Sequence, residues 1–91
     1  MEDDDIIREQ RARGQRALVE FLQTDLNLAF TMLQAVELAS RPEHRYSALG
    51  YVGHALHTIR ILQGRIEDSE SWNTIHDRAH ELERALDSLG A

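Results

Sequence analysis

The chain has no cysteine and no lysine, a single proline, one tryptophan, and only two residues each of phenylalanine and tyrosine. Without cysteine there are no disulfides, no thiolate metal sites and no cysteine nucleophile. With its one proline at position 42, long helices can run uninterrupted on either side. Positive charge is scarce as well: 10 basic residues, all arginine, stand against 16 acidic ones, for a formal net charge of −6. That balance argues against nucleic acid or an anionic membrane as partner, because both are held by cations meeting phosphate or acidic headgroups. No apolar run approaches a membrane span or a signal-peptide core, so the cytoplasm is the expected location. Ninety-one residues suffice for one small domain with a modest core, and leave nothing to build a second domain around a substrate cleft.

What the chain does have is helical periodicity in three segments. In the first, Val19, Leu22, Leu26, Ala29, Leu33 and Val36 recur at spacings of three and four, which puts them on one face. A second row, Leu18, Phe21, Leu28, Met32 and Ala35, widens that face enough to meet two neighbours. Ser40-Arg41-Pro42-Glu43 then reads as a joint, with Ser40 and Glu43 spaced for a capping box and Pro42 in the first turn of the next helix. That helix is expected from about Pro42 to Ile66, with Leu49, Val52, Ala55, Leu56, Ile59, Leu62 and Ile66 along its core side. Asp68 or Ser69 is positioned to cap a third helix, whose seam is Trp72, Ile75, Ala79, Leu82, Leu86 and Leu89, closed by Gly90.

Both joints are short, so consecutive helices should return on each other. The expected fold is all-α, an antiparallel up-down-up three-helix bundle with a long first helix. Starting near Asp5, that helix would run about 50 Å at roughly 1.5 Å per residue, against about 30 to 37 Å for the others. Residues 1–16 are therefore read as an acidic, Arg-rich N-terminal arm that frays, bends at Gly14 or packs on another molecule, and residues 17–91 as the bundle. Arg8, Arg11, Arg13 and Arg16 of the arm are balanced locally by the acidic residues 2 to 5, as on a solvated helix face.

The segments Asp25-Leu26-Asn27-Leu28-Ala29-Phe30-Thr31, Pro42-Glu43-His44-Arg45 and Gly64-Arg65-Ile66 together resemble a group of short bacterial helical proteins with no assigned activity. The resemblance covers most of the chain and implies a compact helical fold without catalytic residues. A local stretch, His57-Thr58-Ile59-Arg60, resembles the His-Thr-Leu-Lys of histidine phosphotransfer domains, which implies an exposed phosphoacceptor at His57. Two features depart from that family's pattern: Ile61 stands where it carries glycine, and three helices stand where it has four.

Residues 76 to 80, His-Asp-Arg-Ala-His, differ from the H-E-x-x-H of zinc peptidases by the shorter carboxylate at the second position. His76 and His80 lie one turn apart with Glu83 continuing the stripe, a spacing that could chelate a divalent cation. A peptidase needs a glutamate base and a third ligand held across a cleft, and rotation about the helix turns both imidazoles away from the Trp72–Leu89 seam toward solvent. Solvated polar neighbours are the expected state, with incidental zinc or nickel chelation by His76, His80 and Glu83 as the alternative.

Helix 2 carries a further stripe opposite its core: Tyr46, Gly50, Gly53, His57, Ile61 and Gly64. Three of these six are glycine, each about 1 kcal/mol less favourable than alanine inside a helix. Small residues framed by Tyr46 and Ile61 suggest close approach of another backbone, such as the N-terminal arm of a second copy. The functional expectation is thus a non-catalytic protein-interaction or self-association module, with a homodimer as the expected assembly and an unidentified protein partner as a further option, no cofactor and no enzymatic activity. Phosphotransfer through His57 and metal binding at His76 and His80 are the alternatives.

Overall fold

The computed structural model describes residues 2–90, all of whose regular elements are helices: α1 is Glu2–Leu38, α2 is Pro42–Gln63 and α3 is Ser69–Gly90. The joint after α1 departs from the expected capping box. Arg41, not Ser40, occupies the N-cap of α2, with extended backbone at φ −101 and ψ 129, and no side chain caps the helix. The reason is steric: a residue preceding proline is pushed out of the helical region, so Arg41 cannot form the first turn that a box from Ser40 would require. Pro42 sets the boundary, its missing amide hydrogen falling where helices have no intrahelical acceptor.

α2 ends three residues before the expected Ile66. Its last turn tightens, the Arg65 amide donating to the Leu62 carbonyl (2.9 Å) and the Ile66 amide to that of Gln63 (3.1 Å). Gly64, with φ −62, takes an ordinary helical conformation there. Of the two candidates, Asp68 and not Ser69 caps α3. Its Oδ2 accepts from the Ser71 amide at 2.9 Å and the Ser71 hydroxyl at 2.7 Å. These hydrogen bonds hold the Asp68 carboxyl below its usual pKa. α3 runs through Gly90, so the cap read into that glycine lies at the limit of the described chain.

All three helices contribute to one core of Leu22, Leu26, Ala29, Leu33, Val52, Ala55, Leu56, Ile59, Ile66, Ile75, Ala79 and Leu82. These are the expected faces, narrowed to their centre lines, while Val19, Leu62, Trp72, Leu86 and Leu89 pack at the edge. The second row of α1 is different. Leu18 and Met32 are half-buried, but Phe21 is 51% and Leu28 46% exposed, and Ala35 is exposed too. Only one side of that widened face finds a neighbour within the chain.

Polar contacts tie the helices in a definite register. Arg11 pairs with Glu67, and Gln15 donates to the Arg65 carbonyl at 3.0 Å while accepting from the Glu67 amide at 2.9 Å. Arg78 reaches back to Gln23 (2.6 Å) and Asn27 (2.8 Å) and lies over the Phe30 ring. Arg60 pairs with Glu83. The result is long and narrow, 60 × 19 × 16 Å, because α1 continues unbroken through Gly14 and residues 3 to 14 are exposed throughout. Among the described residues no helix is long and apolar enough to cross a membrane.

Candidate functional site

The histidines occupy unlike surroundings. His76 does not face solvent as its rotation about α3 suggested; it is half-buried beside α2. Its Nδ1 lies 3.0 Å from Nε2 of Gln63, an amide nitrogen that can only donate, and its ring stacks on Trp72 with centroids 4.6 Å apart and planes 10° from parallel. Gln63 is 5% exposed, the one buried polar side chain among the described residues. The end of α2 meets this flank of α3 through Gln63, so the buried sector is wider there than the Trp72–Leu89 seam. His80 remains exposed, in a shallow depression with Asp77, Glu81 and Arg84 on a single helix. Glu83 is drawn toward α2 by Arg60. The three residues of the metal alternative are thus held in three settings, and no cluster of three or more metal-ligating side chains occurs among the described residues.

His57 is exposed near the middle of α2. One turn on, Ile61 is 58% exposed, so a bulky side chain occupies the surface that a docking phosphodonor would approach. His44 and His54 are exposed as well. A second depression lies between α1 and the start of α3, lined by Gln15, Arg16, Val19, Glu20, Asp68 and Ser71. Its carboxylates and guanidinium do not converge on a nucleophile, and Asp68 is committed to its cap.

The back of α2 is open along its length. Tyr46 is 80% exposed, Gly50, His57, Ile61 and Gly64 are exposed, and Gly53 is half-buried. A β-carbon placed on Gly50 or Gly53 would meet nothing within 4 Å, and on Gly64 would make an ordinary 3.6 Å contact with the Ile61 carbonyl. Nothing inside the chain demands glycine at these positions.

A surface with a stronger pattern runs along α1. Ile7, Gln10, Gly14, Ala17, Phe21, Thr24, Leu28, Thr31, Ala35 and Leu38 follow one another at alternating spacings of three and four, and every one is exposed. None of them is charged, although α1 is rich in Asp, Glu and Arg. Ile7 is 60% and Leu38 86% exposed. By rotation this seam lies roughly 140° from the core line through Leu22 and Leu33, on the side opposite Gln23 and Asn27 and hence away from α3. Tyr51, 39% exposed, flanks the same side of α2, opposite Arg60. In the sequence Phe21, Leu28 and Ala35 had been absorbed into the core row. The signal that separates them is the absence of charge carried at heptad spacing through the arm to Ile7, beyond the reach of any intrachain core.

No protein-family model, characterised protein or solved structure matches the chain.

Proposed function

We propose that the protein is a non-catalytic interaction module that self-associates as a homodimer through exposed helical surface. The observation that carries the reading is the unbroken uncharged seam of α1. A charge-free stripe of that length, with Ile7, Phe21, Leu28 and Leu38 all exposed along it, marks a protein-binding face. The underlying arrangement is an antiparallel up-down-up three-helix bundle. It is supported by the register of Arg11 with Glu67, Arg78 with Gln23 and Asn27, and Arg60 with Glu83. A cytoplasmic setting belongs to the proposal, since a chain without cysteine needs no oxidising compartment to fold.

Sedimentation equilibrium at micromolar concentration tests the reading. The expected species has twice the 10.4 kDa chain mass, dissociating on dilution. A single 10.4 kDa species across the accessible concentration range rejects self-association. The phosphotransfer alternative keeps one favourable observation, the exposure of His57. Incubation with a small-molecule phosphodonor is expected to leave the chain unmodified, and a phosphohistidine lost in His57→Gln would reverse the order of the two readings.

A further inference from the structure

We infer that residues 7–24 of the α1 seam pair with the same stretch of a second copy, the two helices lying antiparallel about a two-fold axis that passes between Gln15 and Arg16. The inference rests on the self-association proposed above and supplies its surface and geometry. Uncharged positions alternating at three and four are what one helix presents to another with the same repeat. A surface that answers itself under a two-fold operation closes after two copies, leaving no edge to extend.

Charge sets the direction. Parallel pairing would bring Asp3, Asp4 and Asp5 of both copies together, like charge against like, and would align the two helix dipoles. Antiparallel pairing separates the acidic tips and opposes the dipoles. Charge also sets the register. Arg13 and Glu20 each immediately precede a seam position, Gly14 and Phe21, and stand exposed on its outer border. With the axis between Gln15 and Arg16, Arg13 of each copy, which pairs with Glu9 within its own chain, lies beside Glu20 of the other and exchanges one carboxylate for the other, giving two reciprocal ion pairs. Glu20 makes no ion pair within its own chain among the described residues. Moving the register by one heptad would set Glu20 against its own equivalent.

The uncharged positions from 7 to 24 meet one another in this register, while Thr31, Ala35 and Leu38 lie beyond the end of the partner helix. Gly14 faces Ala17 of the second copy beside the axis, and these two small residues let the backbones approach closely. Farther out, Phe21 faces Gln10 and Ile7 faces Thr24. The long overhang of residues 3 to 14, exposed throughout and tied to the rest of its own chain through Arg11 and Glu67, becomes half of the shared surface.

Sedimentation of three variants, with helical content checked by circular dichroism, tests the surface. Ala17→Glu and Phe21→Glu, at separate exposed positions, are each expected to weaken self-association by about tenfold or more. Ile61→Glu on the back of α2 is expected to leave it unchanged. A wild-type dimer broken by Ile61→Glu and indifferent to both α1 changes overturns the inference while self-association stands. A monomeric wild type removes both. The native chain has no cysteine, which permits a direct test of direction. Gly14→Cys and Ala17→Cys chains, mixed and mildly oxidised, should yield mainly the mixed disulfide. Homodisulfides of each variant with little mixed product would indicate parallel pairing and overturn the proposed geometry. Finally, Glu20→Arg should weaken the dimer and the double change Arg13→Glu with Glu20→Arg should restore it; failure of the restoration rejects the register.

Discussion

Gln63 is buried at the end of α2, and its amide nitrogen has one side-chain partner, the ring of His76. Truncation to Gln63→Ala removes that contact and leaves a void. Urea unfolding should show a loss of about 1 to 3 kcal/mol. Gln63→Leu restores the volume without the amide and should lose less, since His76 is only half-buried and can turn to water for its hydrogen bond. Asp68 acts in the opposite setting, fully in solvent, through its charge and its hydrogen bonds to Ser71. Its folded pKa is lowered, so its contribution is present above the ordinary carboxylate range near ~4 and is lost as pH falls through the depressed folded value. Thermal midpoints of wild type and Asp68→Ala should therefore differ by a few degrees at neutral pH and converge in acid. A difference that persists unchanged to the acid limit would mean the carboxylate charge is irrelevant to the cap.

At the scale of the helices, the glycines of α2 separate two explanations of the same sequence pattern. Gly50 and Gly53 have open space where a β-carbon would stand. In the isolated chain Gly50→Ala and Gly53→Ala should each stabilise α2 by about 0.5 to 1 kcal/mol, read as a raised denaturant midpoint. A stabilised chain that no longer self-associates would instead show that the glycines serve contact with another copy. The three helices and the Asp68 cap were legible because periodicity and capping chemistry are local, fixed within a turn or two of chain. The buried faces were legible for the same reason, from Leu22 through Val36 and from Ile75 through Leu82. The capping box at Ser40 was not, because two local rules competed there and the backbone restriction imposed by Pro42 overrode the side-chain spacing. The environments of His76 and Phe21 were also hidden. Which flank of a helix a neighbour covers depends on how the rods cross, and a helical wheel carries no information about crossing.

The molecule as a whole has a narrow cross-section and therefore a thin core, with few layers to absorb a defect. Replacing a central side chain such as Leu26 or Ile75, both fully buried, by alanine should cost about 2 to 5 kcal/mol, a large share of the roughly 5 to 15 kcal/mol typical of a domain. Calorimetry would show either a steep fall in midpoint or loss of the transition; a mild effect would mean the core is larger than one chain provides. The exposed overhang adds a concentration signature. Amides of residues 3 to 14 should exchange with solvent more slowly as concentration rises, while those of α3 remain unaffected; equal exchange at all concentrations would separate the overhang from assembly. The stacking of Trp72 on His76 has a practical consequence of its own. The only indole of the protein sits where α3 meets the end of α2, so its emission is an optical gauge of that junction alone, whereas circular dichroism sums over every turn. Unfolding curves recorded by light of both kinds will coincide if the rods come apart together, and will diverge if the third rod peels away while the first two hold.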